Sequence, residues 1–415
     1  KITKKNEKNQ PMNSSNLSKS VLMKAGRRRN APKVVRLSRM EYVRTDTKAS
    51  CLNSVLLRTG ESTEKQYKIM EAIIHAKQLK EQVGALQGIF AKKETIPVLG
   101  KIKIDANSNG AFVMTATDLD ISLIIEQEVD ILQSGSICLS GRKLGDITGN
   151  LPNEPVHLKL DKTGERVEFR AGRFKSKLSG TNSDQFPEVP RVSSEAVKIP
   201  ASVVYEGLRR TIFAVTEDNK RFTINGILLI LDNSGLKMVS TDGHRLSCFQ
   251  TATAPISQNI SCLIPIKAAR ELKNLLAGEI RTNQKVEVKI KKGNQLEFEI
   301  ANKQMTAREV SGNFPNWEMV IPKTFEHFAE IKGGELKDAL TRVGVMADDA
   351  HRRIDFVFTN NKLLLKSESA ETGFSAEEIS CTFQKLGNAE NNTDEFKDGW
   401  KIAFNTKYLM DFLAL

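Results

Sequence analysis

The spacing of apolar residues changes from helical to alternating in the same order three times along the chain. Helical spacing is found in residues 72–91, 201–215 and 333–346. Strand-like alternation follows each stretch, as in residues 96–106 after the first, and a short strand then runs into a second helix, as in 137-ICLSGRKLGDITGNL-151 and 262-CLIPIKAARELKNLL-276. Alternation predicts half-buried strands, and a period near 3.6 predicts amphipathic helices. The pattern therefore predicts an α+β fold of three tandem copies of one domain, each with two helices on antiparallel sheets.

Matching positions recur after about 125 residues, as between Thr117 and Thr241. We accordingly predict domains at residues 70–191, 192–323 and 324–415. In the first two units the chain continues well beyond the second helix, whereas few residues follow that helix in the third. Roughly 40 residues with the last strands are therefore expected to be missing from the third domain, which is predicted to be truncated at its C-terminus.

Residues 1–69 lack apolar periodicity, and we predict that they form a basic, disordered extension. Residues 1–48 hold fourteen Lys or Arg and three acidic residues, so they carry most of the chain's net charge of +12. This composition also fits an organelle transit peptide or a basic arm that binds nucleic acid. A start at Met70 is plausible, because the repeat begins directly after it. The rest of the chain is nearly neutral, so any basic surface there must be local.

The spacing of cysteine and histidine argues against a disulfide framework and a metal site. The five cysteines form no CxxC pair, and the five histidines form no HExxH group. No run of about 18 apolar residues and no secretory signal occur, so we predict a cytoplasmic protein without a membrane segment. We also predict that it uses no metal and no cofactor.

The segment 241-TDGHR-245 joins two alternating apolar runs and carries candidate chemistry. Asp-Gly at this place predicts a tight hairpin turn of type I′. A hydrolase built on Asp242 and His244 is an alternative, but no nucleophile motif or phosphate-binding loop accompanies these residues. The first repeat has 117-TDLD-120 at the same place, without histidine. We therefore predict that the shared Thr-Asp pair bonds turn amides, that the His-Arg pair is particular to the second repeat, and that neither is catalytic.

Lysine and arginine recur along the helical segments of all three units. For any single helix, a solvated polar face is the simpler interpretation. Recurrence in a nearly neutral body instead favours one continuous basic lining, which would contact DNA phosphates without reading bases. The cations are Lys77, Lys80, Lys92, Lys93, Arg142 and Lys143 in the first unit, Arg209, Arg210, Lys220, Arg221, Lys267, Arg270 and Lys273 in the second, and Lys337, Arg342 and Lys407 in the third.

Several short segments of the chain resemble one known family. They are 95-TIPVLG-100, 115-TATDLD-120, 139-LSGRKL-144, 185-QFPEVP-190, 221-RFTINGILL-229, 241-TDGHRL-246 and 314-FPNW-317. In this order and spacing, over residues 70–415, the chain is similar to the bacterial DNA polymerase III beta subunit, the sliding clamp family. The resemblance implies a head-to-tail homodimeric ring of six domains whose helices line the hole. Such a ring encircles duplex DNA and tethers the replicative polymerase without chemistry of its own.

The resemblance also implies three sets of site residues. DNA contacts would include Lys93, Arg221, Phe222 and Thr223, beside the helix cations. A pocket would bind peptides from the DNA polymerase III catalytic subunit, the clamp loader and other clamp-binding-motif proteins. Its residues would be Ile224, Thr241, Gly243, His244, Arg245, Leu246, Pro315, Met319, Val320 and Tyr408. The dimer interface would set Ser176 against Val345 and Met346 of the partner subunit.

Two departures and two competing interpretations accompany this resemblance. The chain stops before the Met-Pro-Met-like tail that completes the family's pocket, and Ser176 is small and polar where the family can place an aromatic residue. One competing interpretation is a monomeric DNA-binding or scaffold protein that uses the basic N-terminal arm. The other is the hydrolase, whose turnover would depend on His244.

Overall fold

The computed structural model describes residues 70–90, 96–348, 351–359, 361–369, 373–385 and 399–415. The predicted disordered extension lies outside these residues, and within them the chain forms six α-helices and twenty-three β-strands. The first repeat comprises β1 (Glu71–His75), α1 (Ala76–Leu86), β2 (Lys101–Ala106), β3 (Ala111–Thr117), β4 (Ile121–Glu128), β5 (Asp130–Gln133), β6 (Gly135–Ser140), α2 (Gly141–Gly149), β7 (Pro155–Leu160), β8 (Arg166–Ala171) and β9 (Phe174–Thr181).

The second and third repeats follow the same order of elements, except that the second has no strand at the place of β5 and the third ends at its second helix. The second comprises β10 (Val197–Pro200), α3 (Ala201–Thr211), β11 (Gly226–Asp232), β12 (Gly235–Thr241), β13 (Leu246–Thr251), β14 (Ile260–Pro265), α4 (Ile266–Thr282), β15 (Glu287–Lys292), β16 (Leu296–Ile300) and β17 (Lys303–Ala307). The third comprises β18 (His327–Glu330), α5 (Gly333–Val343), β19 (Arg353–Thr359), β20 (Lys362–Ser369), β21 (Gly373–Ser380), β22 (Thr382–Lys385), β23 (Trp400–Asn405) and α6 (Thr406–Leu413).

The predicted helix boundaries need correction in all three repeats. Residues 71–75 form β1 rather than helix, because Ala72 and Ile74 are buried while Ile73 is only half-buried, which is the period of a strand. The helices α1, α3 and α5 also end earlier than their apolar spacing predicts, and 3-10 turns follow α3 and α5. Residues 97–100, predicted as strand, form a 3-10 turn that begins at Pro97, whose fixed φ suits the first position of a helical turn.

A single antiparallel sheet runs through the first two repeats. Its strand order is β10-β15-β16-β17-β4-β3-β2-β6-β9-β8-β7-β1-β5, so the last strand of the second repeat pairs with β4 of the first. In that pair Met305 lies opposite Leu123, and Ala307 lies opposite Ile121. The second repeat adds a sheet of order β13-β12-β11-β14, and the third forms sheets of order β18-β22 and β21-β20-β19-β23. Backbone pairing therefore joins the first and second repeats directly.

The apolar core follows the same division. One buried cluster extends through both of the first two repeats and includes the fully buried Phe112, Phe169 and Phe298. A second, smaller cluster surrounds Leu340 and Phe356 in the third repeat. Burying one such side chain stabilises a fold by about 1.5–3 kcal/mol, so these clusters are the main source of stability.

The six helices lie side by side in one layer. Within repeats, α1 packs on α2, α3 on α4 and α5 on α6. Between the first two repeats, Gly88 just beyond α1 comes so close to Glu271 of α4 that an added Cβ would clash with that side chain. Between the second and third, the guanidinium of Arg209 in α3 donates to the carbonyl of Leu415 beyond α6. The resulting order across the layer is α2, α1, α4, α3, α6, α5.

Candidate functional site

The turn between β12 and β13 is held by its own side chains. Asp242 Oδ1 accepts hydrogen bonds from the amides of His244 (2.9 Å) and Arg245 (3.0 Å), and Thr241 Oγ1 accepts one from the Gly243 amide (3.1 Å). Gly243 has a φ of +88°, and it is the one residue of this turn with a positive φ. The predicted type I′ turn is therefore wrong, because that turn needs two such residues. Four residues make the connection instead, and the aspartate carboxylate replaces strand pairing for their amides.

The turn between β3 and β4 in the first repeat uses the same bonds. Asp118 Oδ1 accepts from the amides of Asp120 (3.0 Å) and Ile121 (2.7 Å), and Thr117 Oγ1 accepts from the Leu119 amide (3.0 Å). Here Leu119 takes the positive φ, at +79°. The prediction that the shared Thr-Asp pair has a structural role is thus confirmed.

The Arg245 side chain connects the second repeat to the third. Its Nε lies 3.0 Å from Asp242 Oδ2, its Nη1 lies 2.8 Å from Asp411 Oδ2 in α6, and its Nη2 donates to the carbonyl of Phe213 at 2.6 Å. The guanidinium carbon also lies 4.5 Å from the ring centroid of Tyr408, within the range of a cation–π contact. Only 17% of the Arg245 side chain is exposed, so these contacts hold a largely buried guanidinium group.

The surface above Arg245 combines an aromatic pair with a second arginine. The rings of His244 and Tyr408 stack with centroids 6.0 Å apart. Arg221, in the 3-10 turn Asn219–Ile224, donates to the carbonyl of Asp242 at 3.2 Å. Since Asp242 Oδ2 also bonds Arg245, both carboxylate oxygens of that aspartate are engaged. This is the geometry of a structural carboxylate rather than a general base.

The residues of the predicted peptide pocket lie on four segments of the chain. Thr241, Gly243, His244, Arg245, Leu246 and Tyr408 lie around the turn, and Ile224 ends the 3-10 turn that reaches it through Arg221. Met319 and Val320 are 81% and 68% exposed in a separate 3-10 turn. Pro315 lines a groove of about 510 Å³ with Trp317 and Lys292.

One predicted DNA contact lies at the junction of the first two repeats. Lys267, in the first turn of α4, donates to the carbonyl of Ile89 at 3.0 Å and forms an ion pair with Asp118 in the β3–β4 turn. The turn of the first repeat is thereby fastened to the second helix of the next repeat. Arg245 and Asp411 fasten the corresponding turn of the second repeat to α6 in the same way. In both places an ion pair holds this turn to the second helix of the next repeat, but the charged residues that form the pair differ.

Most of the other predicted DNA contacts lie in the helix layer. Lys143 Nζ is 3.9 Å from Asp146, Arg270 is paired with Glu217, and Arg142 is exposed in the first turn of α2. The others are Arg209 and Arg210 at the end of α3, Lys273 half-buried in α4, and Lys220, Phe222 and Thr223 in the 3-10 turn. Phe222 is 58% exposed, and Lys93 lies outside the described residues.

The predicted dimer-interface residues lie at two distant places of one chain. Ser176 is half-exposed in the middle of β9, opposite Phe169 of β8. Val345 and Met346 lie in the 3-10 turn after α5, where Val345 is 71% exposed.

Sequence reasoning missed the residues that receive these cations. Asp411, Phe213 and Ile89 belong to no motif, and two of the three contacts use backbone carbonyls, which no side-chain pattern reveals. Asp411 lies four residues after Lys407 on α6, but its partner Arg245 is 166 positions away. Only a comparison of the repeats could have pointed to Asp411, because Asp411 and Glu271 are both the sixth residue of the second helix in their repeats.

The described residues contain no cluster of histidine, cysteine or acidic side chains that could hold a metal ion. Burial raises the pKa of the Cys262 thiol to about 12 and that of Cys138 to about 11, so both remain protonated. Among the helices of the described ranges, none is long and apolar enough to cross a membrane.

Comparison with known proteins matches all three repeats to one family. The family models for the DNA polymerase III beta subunit match at residues 70–190 (N-terminal domain), 198–316 (central domain) and 318–415 (C-terminal domain). A relative from Synechocystis sp., named "Beta sliding clamp", is 28% identical over 369 residues, which is 83% of this chain and 90% of the relative.

Solved structures agree with this assignment. A DnaN sliding clamp from Pseudomonas aeruginosa bound to griselimycin has a TM-score of 0.74 at 26% identity and covers 83% of this chain and 89% of its own. The DNA polymerase III beta subunit from Thermotoga maritima has a TM-score of 0.75 at 24% identity, with the same coverage, and supports the fold. The chain therefore belongs to the DNA polymerase III beta subunit family and is a sliding clamp, the non-catalytic processivity factor of DNA replication.

Proposed function

We propose that two copies of this chain join head to tail into a ring that encircles duplex DNA, with the helix layer toward the DNA. The observation that carries this proposal is the pairing of β17 with β4, which joins one repeat to the next by backbone hydrogen bonds. The strands at the corresponding positions in the outer repeats are β9 and β21. Along most of its length β9 pairs with β8 alone, and β21 pairs with β20 alone among the described strands. A second copy can therefore repeat at its ends the junction that the chain already forms inside.

The internal junction supplies a register for this pairing. In the hairpins β16–β17 and β8–β9, Met305 pairs with Phe298 and Ser176 pairs with Phe169. In the hairpins β3–β4 and β20–β21, Leu123 pairs with Ala116 and Ser375 pairs with Ser367. These hairpin pairs make Ser176 equivalent to Met305, and Ser375 equivalent to Leu123. We therefore expect Ser176 of one copy to lie opposite Ser375 of the other, with strands running antiparallel.

Charge complementarity supports the same pairing. The exposed side chains of β9 include Lys175 and Lys177, whereas β21 carries Glu377 and Glu378. In the transferred register Lys175 lies opposite Ala376, so Glu378, two residues further along β21, is its diagonal neighbour on the same face. The proposed interface also lies beside Val345 and Met346.

The helix layer supports sequence-independent contact with DNA. Its cations come from all three repeats, and several are partly neutralised by neighbouring carboxylates, as Arg270 is by Glu217. Contacts of this kind bind phosphates without reading bases and weaken with salt. A closed ring retains DNA by topology, so weak contacts suffice and leave it free to slide.

The turn at residues 241–245 is the proposed docking site for partner peptides. Arg245 is held by four groups and forms a rigid base, above which the ring pair of His244 and Tyr408 offers an apolar face. A rigid apolar surface beside a polar turn suits a short linear peptide. We expect such peptides to come from the DNA polymerase III catalytic subunit, the clamp loader and other clamp-binding-motif proteins, all acting in the cytoplasm. The P. aeruginosa clamp bound to griselimycin supports ligand binding within this family.

Light scattering and DNA retention test the ring. We expect a dimer at micromolar concentration and retention on nicked circular DNA that is lost when the circle is linearised. Deleting residues 1–69 should leave both results unchanged, which separates the ring from a DNA-binding N-terminal arm. A monomer that stays bound to linear and circular DNA alike would contradict the proposal. For the docking site, His244→Ala should weaken capture of a polymerase-derived peptide without changing the dimer.

A further inference from the structure

The first helix of every repeat carries a carboxylate at its sixth residue. These residues are Glu81 in α1, Glu206 in α3 and Asp338 in α5. The three helices are equivalent because each follows a short strand and places a buried residue two positions before and two positions after the carboxylate, with one half-buried exception in α5. The carboxylates therefore occupy one position of the helix layer, three times over.

The residues one helical turn later differ among the three helices. Side chains three and four positions apart on a helix are neighbours, so each carboxylate can reach both. The pairs at these positions are Gly84 and Ala85 in α1, Arg209 and Arg210 in α3, and Thr341 and Arg342 in α5. Arg342 bonds Glu377 of β21 instead, at 2.8 and 2.5 Å. Among these described helices, α3 is the one whose carboxylate faces two arginines.

Glu206 holds both arginines at once. Its Oε2 lies 2.8 Å from Arg209 Nε, its Oε1 lies 2.9 Å from Arg209 Nη2, and Oε1 also accepts from Arg210 Nε. Such a two-pronged contact is among the stronger charge-assisted hydrogen bonds. The bonds to Arg209 and then Arg210 lower the pKa of Glu206 to about 2, so the carboxylate is ionised at every physiological pH. The three side chains remain partly exposed, at 31%, 29% and 53% in chain order, and a ligand can therefore reach them.

We propose that Glu206 competes with DNA phosphate for Arg209 and Arg210 and thereby limits how strongly the central repeat contacts DNA. The inference rests on the proposed function, in which the helix layer faces the duplex. A phosphate that approaches must displace the carboxylate, and the carboxylate returns when the phosphate leaves. Neither guanidinium is left unpaired in either state, so passing from one phosphate to the next costs little. Glu206 is thus a positioning residue that favours sliding over tight binding.

Replacing the carboxylate by its neutral amide tests this competition. Glu206→Gln keeps the shape of the side chain but frees up to two guanidinium groups for phosphate. Each added phosphate contact steepens the dependence of log affinity on log salt by about 0.9, so two contacts steepen it by about 1.8. Between about 50 and 200 mM salt, the affinity of the variant should therefore fall roughly 12-fold more than that of the wild type. The measurement is fluorescence anisotropy of a short labelled linear duplex, with the full chain.

The chain offers a matched control in Glu81→Gln. It removes the same charge at the same helix position, but no arginine lies one turn later in α1. Its salt dependence should match the wild type, which separates freed arginines from a simple gain in net charge. A second test places Glu206→Gln in the Arg209→Gln/Arg210→Gln background, where it should no longer steepen the salt dependence because no arginine remains to be freed.

The outcomes separate this inference from the proposed function. If the wild type binds no duplex at any salt concentration, the proposed function fails and the inference fails with it. If the wild type binds but Glu206→Gln follows the same salt dependence, or Glu81→Gln steepens it equally, the competition is refuted while DNA binding stands. A steeper slope for Glu206→Gln that persists in the Arg209→Gln/Arg210→Gln background would likewise refute the competition, because no arginine is left there to be freed.

Discussion

Arg245→Ala should loosen the junction between the second and third repeats. The substitution removes a guanidinium that bonds Asp242, Asp411 and the Phe213 carbonyl and that lies over the Tyr408 ring. Removing one partner of a buried ion pair costs about 3–5 kcal/mol, because the other charge stays buried and unpaired. Asp411 is 31% exposed, however, and water can replace part of its lost contact. We therefore expect a loss of about 3 kcal/mol, toward the low end of that range.

Urea unfolding combined with hydrogen exchange measures this loss and locates it. Amides of α6 should exchange faster in the variant, while those of α2 in the first repeat should keep their rate. The control is Arg308→Ala, which removes an arginine whose pair with Asp120 is 3.5 Å long and 65% exposed on the arginine side. Exposed pairs of this kind contribute about 0–1 kcal/mol. Equal urea midpoints for Arg245→Ala and Arg308→Ala would show that the guanidinium does not hold the junction.

Three further predictions concern backbone, pH and assembly. Gly235→Ala should cost about 2 kcal/mol or more in thermal unfolding, because Gly235 has a φ of +117° and an added Cβ would lie 2.1 Å from the Thr251 carbonyl oxygen; an unchanged midpoint would contradict this. The pKa of Glu206 is lowered from 4.5 to about 2, so its ion pairs stabilise the fold above pH 4.5, and this stabilisation is lost as the pH falls toward about 2. Glu206→Gln should therefore be less stable than the wild type at pH 7 and equal to it near pH 2. A gap that persists at pH 2 would refute the ion pair. Lys175→Glu should weaken dimerisation in light scattering, and Glu378→Lys in the same chain should restore it; failure of the rescue would argue against the proposed register.

The fold class was predictable because its signal is local and repeated. Alternation and helical spacing each extend over about ten residues, and three copies of the same order make the assignment robust to errors in any one. The errors fell at element ends, where one residue decides. Pro97 turned a predicted strand into a 3-10 turn, and the alternation of Ala72 and Ile74 placed a strand where the wider window favoured helix.

The candidate site was predictable only where the repeat supplied a comparison. Setting 241-TDGHR-245 beside 117-TDLD-120 separated a structural Thr-Asp pair from the residues added to it, and hydrogen bonds in both turns agree. The same comparison could not reveal that Lys267 binds Asp118, since a cation in the sequence looks alike whether it faces solvent, DNA or another domain.

By itself the sequence determined three tandem α+β units, a neutral body with a basic N-terminal segment, and a family resemblance that the comparisons confirmed. Only the tertiary structure decided which charged side chains form ion pairs within the protein. Arg245 and Asp411 are 166 positions apart, and the pairing of β17 with β4 spans a comparable stretch of chain. Local periodicity specifies which face of an element is buried, but the partner of that face depends on how separate elements pack, and a charge acquires its role only from the group that packing sets against it.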